Sequence, residues 1–227
     1  MRVDSFISKT VLLLGIPAGL QNAIFAVANL FIQTAVNSFD TLTVKGNSAA
    51  ANADALVYDM MAAFYLACTT FIGQNYGAGK KDRVLSSYKI CVMYSFLIAA
   101  AAGGLLLLFG RQFLALFTTE KAVVDAGFKR LAIMSCSYCV SAFMACTIAA
   151  SRGLGKTVVP TVLVILGSCV LRIIWIYTVF AHFRTIPSLY LLYLFSWSIT
   201  AVGEIIYFKK TYKKQMASIG NDALAQS

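Results

Sequence analysis

The sequence predicts an all-α protein that crosses a membrane six times, and three observations carry the prediction. Six apolar stretches, residues 11–37, 48–72, 91–109, 131–150, 158–180 and 188–208, fill most of the 227-residue chain. Each approaches the ~20 residues that cross a ~30 Å hydrocarbon layer. Only 12% of the residues are charged and 59% are hydrophobic, where soluble domains carry roughly 25% charge. The stretches are also too long for barrel strands of about ten alternating residues, so helices must satisfy the backbone.

The first segment exceeds the length of a signal-peptide core, carries amides and has no cleavage pattern behind it, so it reads as a span. Pro17, in Gly15-Ile-Pro17, removes a backbone hydrogen bond and predicts a bend. A polar stretch, residues 40–47, leads to the second segment, with Asn47 or Ser48 as its cap. That segment leaves through the glycine-punctuated run Gly73-Gln-Asn-Tyr-Gly-Ala-Gly79 into Lys80-Lys-Asp-Arg83. Gly103-Gly104 in the third segment admits a close neighbour. Residues 111–125 mix Phe113, Leu114, Leu116 and Phe117 with charge, which reads as a short amphipathic helix lying in the interface.

The fourth segment holds Cys136-Ser-Tyr-Cys139, a CxxC inside a span with no second ligand pair. It reads as buried small residues, and the single histidine, His182, makes no metal site. Gly153-Leu-Gly-Lys-Thr157 imitates the end of a Walker A loop. The first glycine of that motif would fall at Ala150 and no strand precedes it, so it is no nucleotide site. Pro160 suits the first turn of the fifth helix. Trp175, Tyr177, Tyr190 and Tyr207 lie near span ends, as aromatic belts do. After the sixth segment, residues 209–227 form a basic, then polar, tail expected to fray.

The net charge of +10 does not signal nucleic acid, because the cations sit in short loops beside the spans. Twelve (Arg2, Lys9, Lys80, Lys81, Arg83, Lys89, Arg152, Lys156, Lys209, Lys210, Lys213, Lys214) lie on the side of the termini. Six (Lys45, Arg111, Lys121, Lys129, Arg130, Arg184) lie opposite. The imbalance places both termini in the cytoplasm, with residues 1–10 as a linker, 11–208 as the membrane lobe and 209–227 as the tail. Hydrolase motifs such as GxSxG and HExxH are absent, so an enzyme is not expected.

Polar side chains inside spans are the candidate site. Asn22, Asn29, Gln33 and Asn37 point within about 80° of one another on the first helix, a narrow amide stripe suited to lining a hydrated cavity. Asp54 and Asp59 lie about 140° apart on the second helix, with Tyr58 on the face of Asp54. A buried carboxylate there could hold Na⁺ or exchange a proton. Arg172 lies at an estimated depth of ~12 Å, near the ~10 Å estimated for Asp54, so an Asp54–Arg172 pair is expected, or failing that Asp59–Arg172. Glu204 is expected to snorkel beside Lys209 and Lys210.

Several motifs carry a family resemblance: Gly15-Ile-Pro-Ala-Gly-Leu-Gln21, Phe71-Ile-Gly-Gln-Asn-Tyr-Gly-Ala-Gly79, Phe109-Gly-Arg, Leu116-Phe-Thr, Arg152-Gly-Leu-Gly-Lys-Thr157 and Leu171-Arg-Ile-Ile-Trp-Ile-Tyr177. In order and spacing over residues 11–208 they resemble the carboxy-terminal six helices of multidrug and toxic compound extrusion (MATE) transporters. The resemblance implies one lobe of a twelve-helix, two-lobe antiporter in the cell membrane, with the amino-terminal lobe missing. Such a protein exports drugs and organic cations in exchange for Na⁺ or H⁺ and needs no other cofactor. Its partners are the bilayer, the missing lobe and small organic substrates. The carry-over to this chain is Asp54 with the amide stripe. A lipid-linked oligosaccharide flippase is the alternative within the wider superfamily, and would call for several basic residues in its cavity, where the sequence places only Arg172. A non-transporting fragment is the other alternative.

Overall fold

A computed structural model of the chain describes residues 5–225. Among these, six helices are long and apolar enough to cross a membrane. They are α1 (Ser5–Val36), α2 (Thr41–Gly77), α3 (Lys81–Ala115), α4 (Lys121–Gly153), α5 (Val158–Phe183) and α6 (Ile186–Ala225). Met1-Arg-Val-Asp, expected within the linker, lies outside the described residues, and the rest of the 1–10 linker belongs to α1 from Ser5 onward.

Most of the helices outrun the apolar stretch that announced them. Hydropathy reads the first charges as a boundary, whereas a helix continues for as long as its backbone bonds are kept. Three expectations are corrected on this ground. Asn47 and Ser48 do not cap α2, which starts at Thr41 with Asp40 in the capping position. No interfacial helix spans residues 111–125, because α3 runs to Ala115, a short turn follows and α4 begins at Lys121. The tail stays helical, with α6 continuing to Ala225. Pro17 lies within α1, helical on both sides of it. In α5, stretches of π-helix at Ile165–Val170 and Ile176–Phe180 enclose the short α-helical stretch Leu171–Trp175.

The packing centre is α4. Of its most apolar stretch 61% is buried, against 12% for α1, so α4 is the hub and α1 an outer wall. Its hydroxyls are turned inward. Ser135 Oγ donates to the Leu131 carbonyl at 2.7 Å, and Thr147 Oγ1 to that of Phe143 at 2.7 Å, which satisfies them within their own helix. The outer surface is apolar, as at Leu12, Leu30, Leu108 and Leu116, and suits a hydrocarbon surround.

Close backbone approach lets the other helices reach α4. A Cβ on Gly46 of α2 would stand 2.6 Å from the Gly127 nitrogen, and one on Gly127 would stand 2.8 Å from the Gly46 carbonyl oxygen. Only glycine fits on either side of this crossing. Gly103 of α3 meets the Ser135 carbonyl in the same way, at 2.9 Å, as the Gly103-Gly104 pair predicted. We expect Gly127→Val to destabilise the chain by about 2 kcal/mol or more and to lower its melting temperature in detergent. Gly15→Val, which meets nothing within 4 Å, should leave it unchanged. Equal melting of the two variants would rule out the close crossing.

Candidate functional site

A cavity of about 710 Å³ opens between α1, α2, α4, α5 and α6, a size that takes a drug-sized molecule. One wall is α1, which contributes Gln21, Asn22, Phe25, Asn29 and Gln33. Opposite, α2 contributes Asp54 and Tyr58, and α4 a stripe running from Arg130 through Ser141 to Arg152. From α5 and α6 come Arg172, Tyr190, Tyr193 and Trp197.

The polar centre of this cavity is a buried ion pair. The Asp54 carboxylate accepts from Arg130 Nη2 on one oxygen and from the Tyr138 hydroxyl on the other. Arg130 Nη1 donates to the Asn47 carbonyl at 2.8 Å, and the Tyr190 hydroxyl donates to Asn47 Oδ1 at 2.6 Å. The guanidinium also lies over the Tyr190 ring at 5.4 Å. One network therefore ties α2, α4 and α6. The local sequence permits it because Asn47 and Asp54, seven residues apart, share one face of α2, while Arg130 and Tyr138, eight apart, share one face of α4.

Two further arginines face the cavity. Arg152 Nη2 donates to Gln21 Oε1 at 2.8 Å, which links α4 to α1. Glu204 is fully buried in α6. Its two oxygens have no hydrogen-bond partner. Arg172, 2% exposed, donates from Nε to Ser196 Oγ at 3.3 Å and lies among the rings of Tyr193, Trp197 and Phe25.

The structure brings Asn22, Asn29, Gln33, Asp54, Tyr58 and Arg172 to one cavity. Asn37 stands just past the end of α1 and accepts from Gln33 Nε2 at 2.9 Å, and it does not line the cavity. Asp59 is exposed on another face of α2, beside Leu56 and Met60, and does not line the cavity.

The Asp54–Arg172 pair is corrected, as is its substitute with Asp59. Similar depth did not mean the same side, and Asp54 is answered by Arg130 from α4 instead. Arg130, assigned to a loop, is buried inside α4. Glu204 does not snorkel, because it points into the bundle. Three arginines line the cavity, not one. The missed residues left a signal: Arg130, Tyr138, Ser141 and Arg152 project within about 80° of one another on one helix. That stripe becomes visible only once Arg130 is counted as part of the span.

Comparison with known proteins gives a consistent lineage. A family model described as MatE matches residues 17–178. The probable multidrug resistance protein NorM of Thermotoga maritima is 22% identical over 155 residues, 68% of this chain and 33% of that protein. The probable multidrug resistance protein YpnP of Bacillus subtilis is 28% identical over 120 residues, 53% and 27%. The chain thus spans about a third or less of the length of these two curated relatives. A crystal structure of MATE in the bent conformation has the same fold, with a TM-score of 0.85 at 18% identity, over 97% of this chain and 49% of that one. The family match covers most of the chain, including α5 through Arg172 and the cavity walls of α1, α2 and α4: this multi-pass membrane protein belongs to the MatE family.

Proposed function

We propose that the chain is one six-helix lobe of a secondary antiporter that exports small organic compounds across the cell membrane in exchange for Na⁺ or H⁺. The observation that carries this reading is the cavity. It is drug-sized, and α1 lines it with Asn22, Asn29 and Gln33 around a buried carboxylate. The kinship to probable multidrug resistance proteins supports it. An amino-terminal six-helix lobe completes the cleft, and the cargo passes between the two without covalent change.

Asp54 is the coupling group in this reading. Both its oxygens are engaged, by Arg130 and Tyr138, so a cation or proton at Asp54 competes with the ion pair. Antiport needs such a competition, because a ligand shifts a conformational equilibrium only through unequal affinity for the two states. Both termini lie on the cytoplasmic side. Of the cations counted from the sequence, Arg130 and Arg152 face the cavity inside the bundle, which leaves eleven against five and keeps the direction of the imbalance.

The test is efflux from energised vesicles of two fluorescent dyes, one cationic and one anionic, by this chain alone and by the chain joined to a six-helix amino-terminal lobe. Efflux of at least one dye is expected in the joined form, with loss in Asp54→Asn. Efflux of neither would sink the antiporter reading.

A second variant separates coupling from folding. Asp54→Asn leaves Arg130 uncompensated and should cost about 3 kcal/mol or more, read as a lower melting temperature. Asp54→Asn combined with Arg130→Met should regain most of that stability without regaining transport. Transport by the double variant would remove Asp54 from the coupling role.

Orientation is checked with a membrane-impermeant thiol reagent in whole cells, on a variant whose native cysteines are replaced. Lys45→Cys should be labelled from outside, and Lys81→Cys only after permeabilisation. The reverse pattern would invert the proposed topology.

A further inference from the structure

The arginines of the cavity are not equivalent. Arg130 is bonded to Asp54, whereas Arg152 bonds the neutral amide of Gln21. Among the described residues neither Arg152 nor Arg172 forms an ion pair with a carboxylate, and Arg172 is the more deeply buried of the two. A guanidinium keeps its charge in proteins, and an unanswered charge inside a spanning segment marks a functional position. The rings at 4.5, 5.5 and 5.6 Å from its Cζ, those of Tyr193, Trp197 and Phe25, answer it in part. Nη2 still has no partner.

A second group nearby is in the same condition. Tyr58 lines the cavity, and its hydroxyl is buried with no hydrogen-bond partner. Its ring meets Trp197 edge-on at 6.0 Å, so the two unpartnered donors flank one indole. The α5 backbone around Arg172 is unusual as well, with π-helix on both sides of its turn. Such irregularities in helices concentrate at functional sites.

We propose that Arg172 and Tyr58 hold the acidic group of a small organic anion whose aromatic or apolar body lies against Tyr193, Trp197 and Phe25. This rests on the reading of the chain as a transporter of organic compounds and fixes the charge class of its cargo, where the sequence pointed to organic cations. One unpaired guanidinium matches one carboxylate or sulfonate. A lipid-linked pyrophosphate would call for several free cations, whereas Arg130 is paired with Asp54 and Arg152 is bonded to Gln21.

The experiment uses the full chain in phosphatidylcholine nanodiscs and two xanthene dyes of opposite charge, fluorescein and rhodamine 6G, followed by fluorescence anisotropy. Fluorescein is expected to bind about tenfold or more tightly than rhodamine 6G. Arg172→Gln should lower fluorescein affinity about tenfold, Arg172→Lys should keep the order of the two dyes, and Arg184→Gln in the loop should change nothing. An unaltered melting temperature of each variant separates binding from folding.

Preference for rhodamine 6G, no binding of fluorescein, or fluorescein binding indifferent to Arg172→Gln would overturn the proposal. Loss of fluorescein binding in discs that contain phosphatidylglycerol would assign the site to a lipid headgroup instead, and overturn it too. These outcomes leave the antiporter reading standing, since that reading fails only if neither dye is exported.

Discussion

Everything in the lobe is arranged around one ion pair, Asp54 with Arg130. Hydrocarbon offers a charge no water, so each partner is tolerable only because the other is there. Holding them together fixes α2 against α4, and the chain of Tyr138, Asn47 and Tyr190 extends the constraint to α6. The Gly46–Gly127 crossing does the same work in steric terms a short way along the same helix pair. Charge sets which faces of α2 and α4 meet, and the missing side chains set how closely.

The fold was legible because the bilayer imposes a length on every apolar run. Six runs of that length announced six helices, and Gly103 announced a close contact that the structure has at Ser135. The helix ends were not legible from hydropathy. Asn47 lies inside α2 and Arg130 inside α4, yet both read as boundaries because their side chains are polar. Polar side chains at these two positions lie within helices and form the centre of the site.

The site was legible one helix at a time. The amide stripe of α1 could be drawn from 3.6-residue periodicity, and Asn22, Asn29 and Gln33 do share a wall. Pairing across helices could not be drawn so, because depth fixes only one coordinate of a residue in a bundle. Asp54 and Arg172 matched in that coordinate and differ in the side they face, so the partner turned out to be Arg130. Glu204 was misread for a related reason: its neighbours in sequence are basic and exposed, while its neighbours in space are the buried faces of other helices.

The uneven packing of the lobe has a mechanical meaning. Helices α2, α3, α4 and α6 are pressed against one another and, apart from α3, bound by the buried charge network. In contrast α1 is mostly uncovered, and α5 is interrupted by two stretches of looser winding. The cavity lies along the seam between the stiff block and these two softer helices. Its two walls are therefore unlike, one packed against α4 and the other largely uncovered. In that respect the lobe is built less like a box than like a vice, with a well-packed jaw that carries Asp54 and a more open one that carries the amides and Arg172.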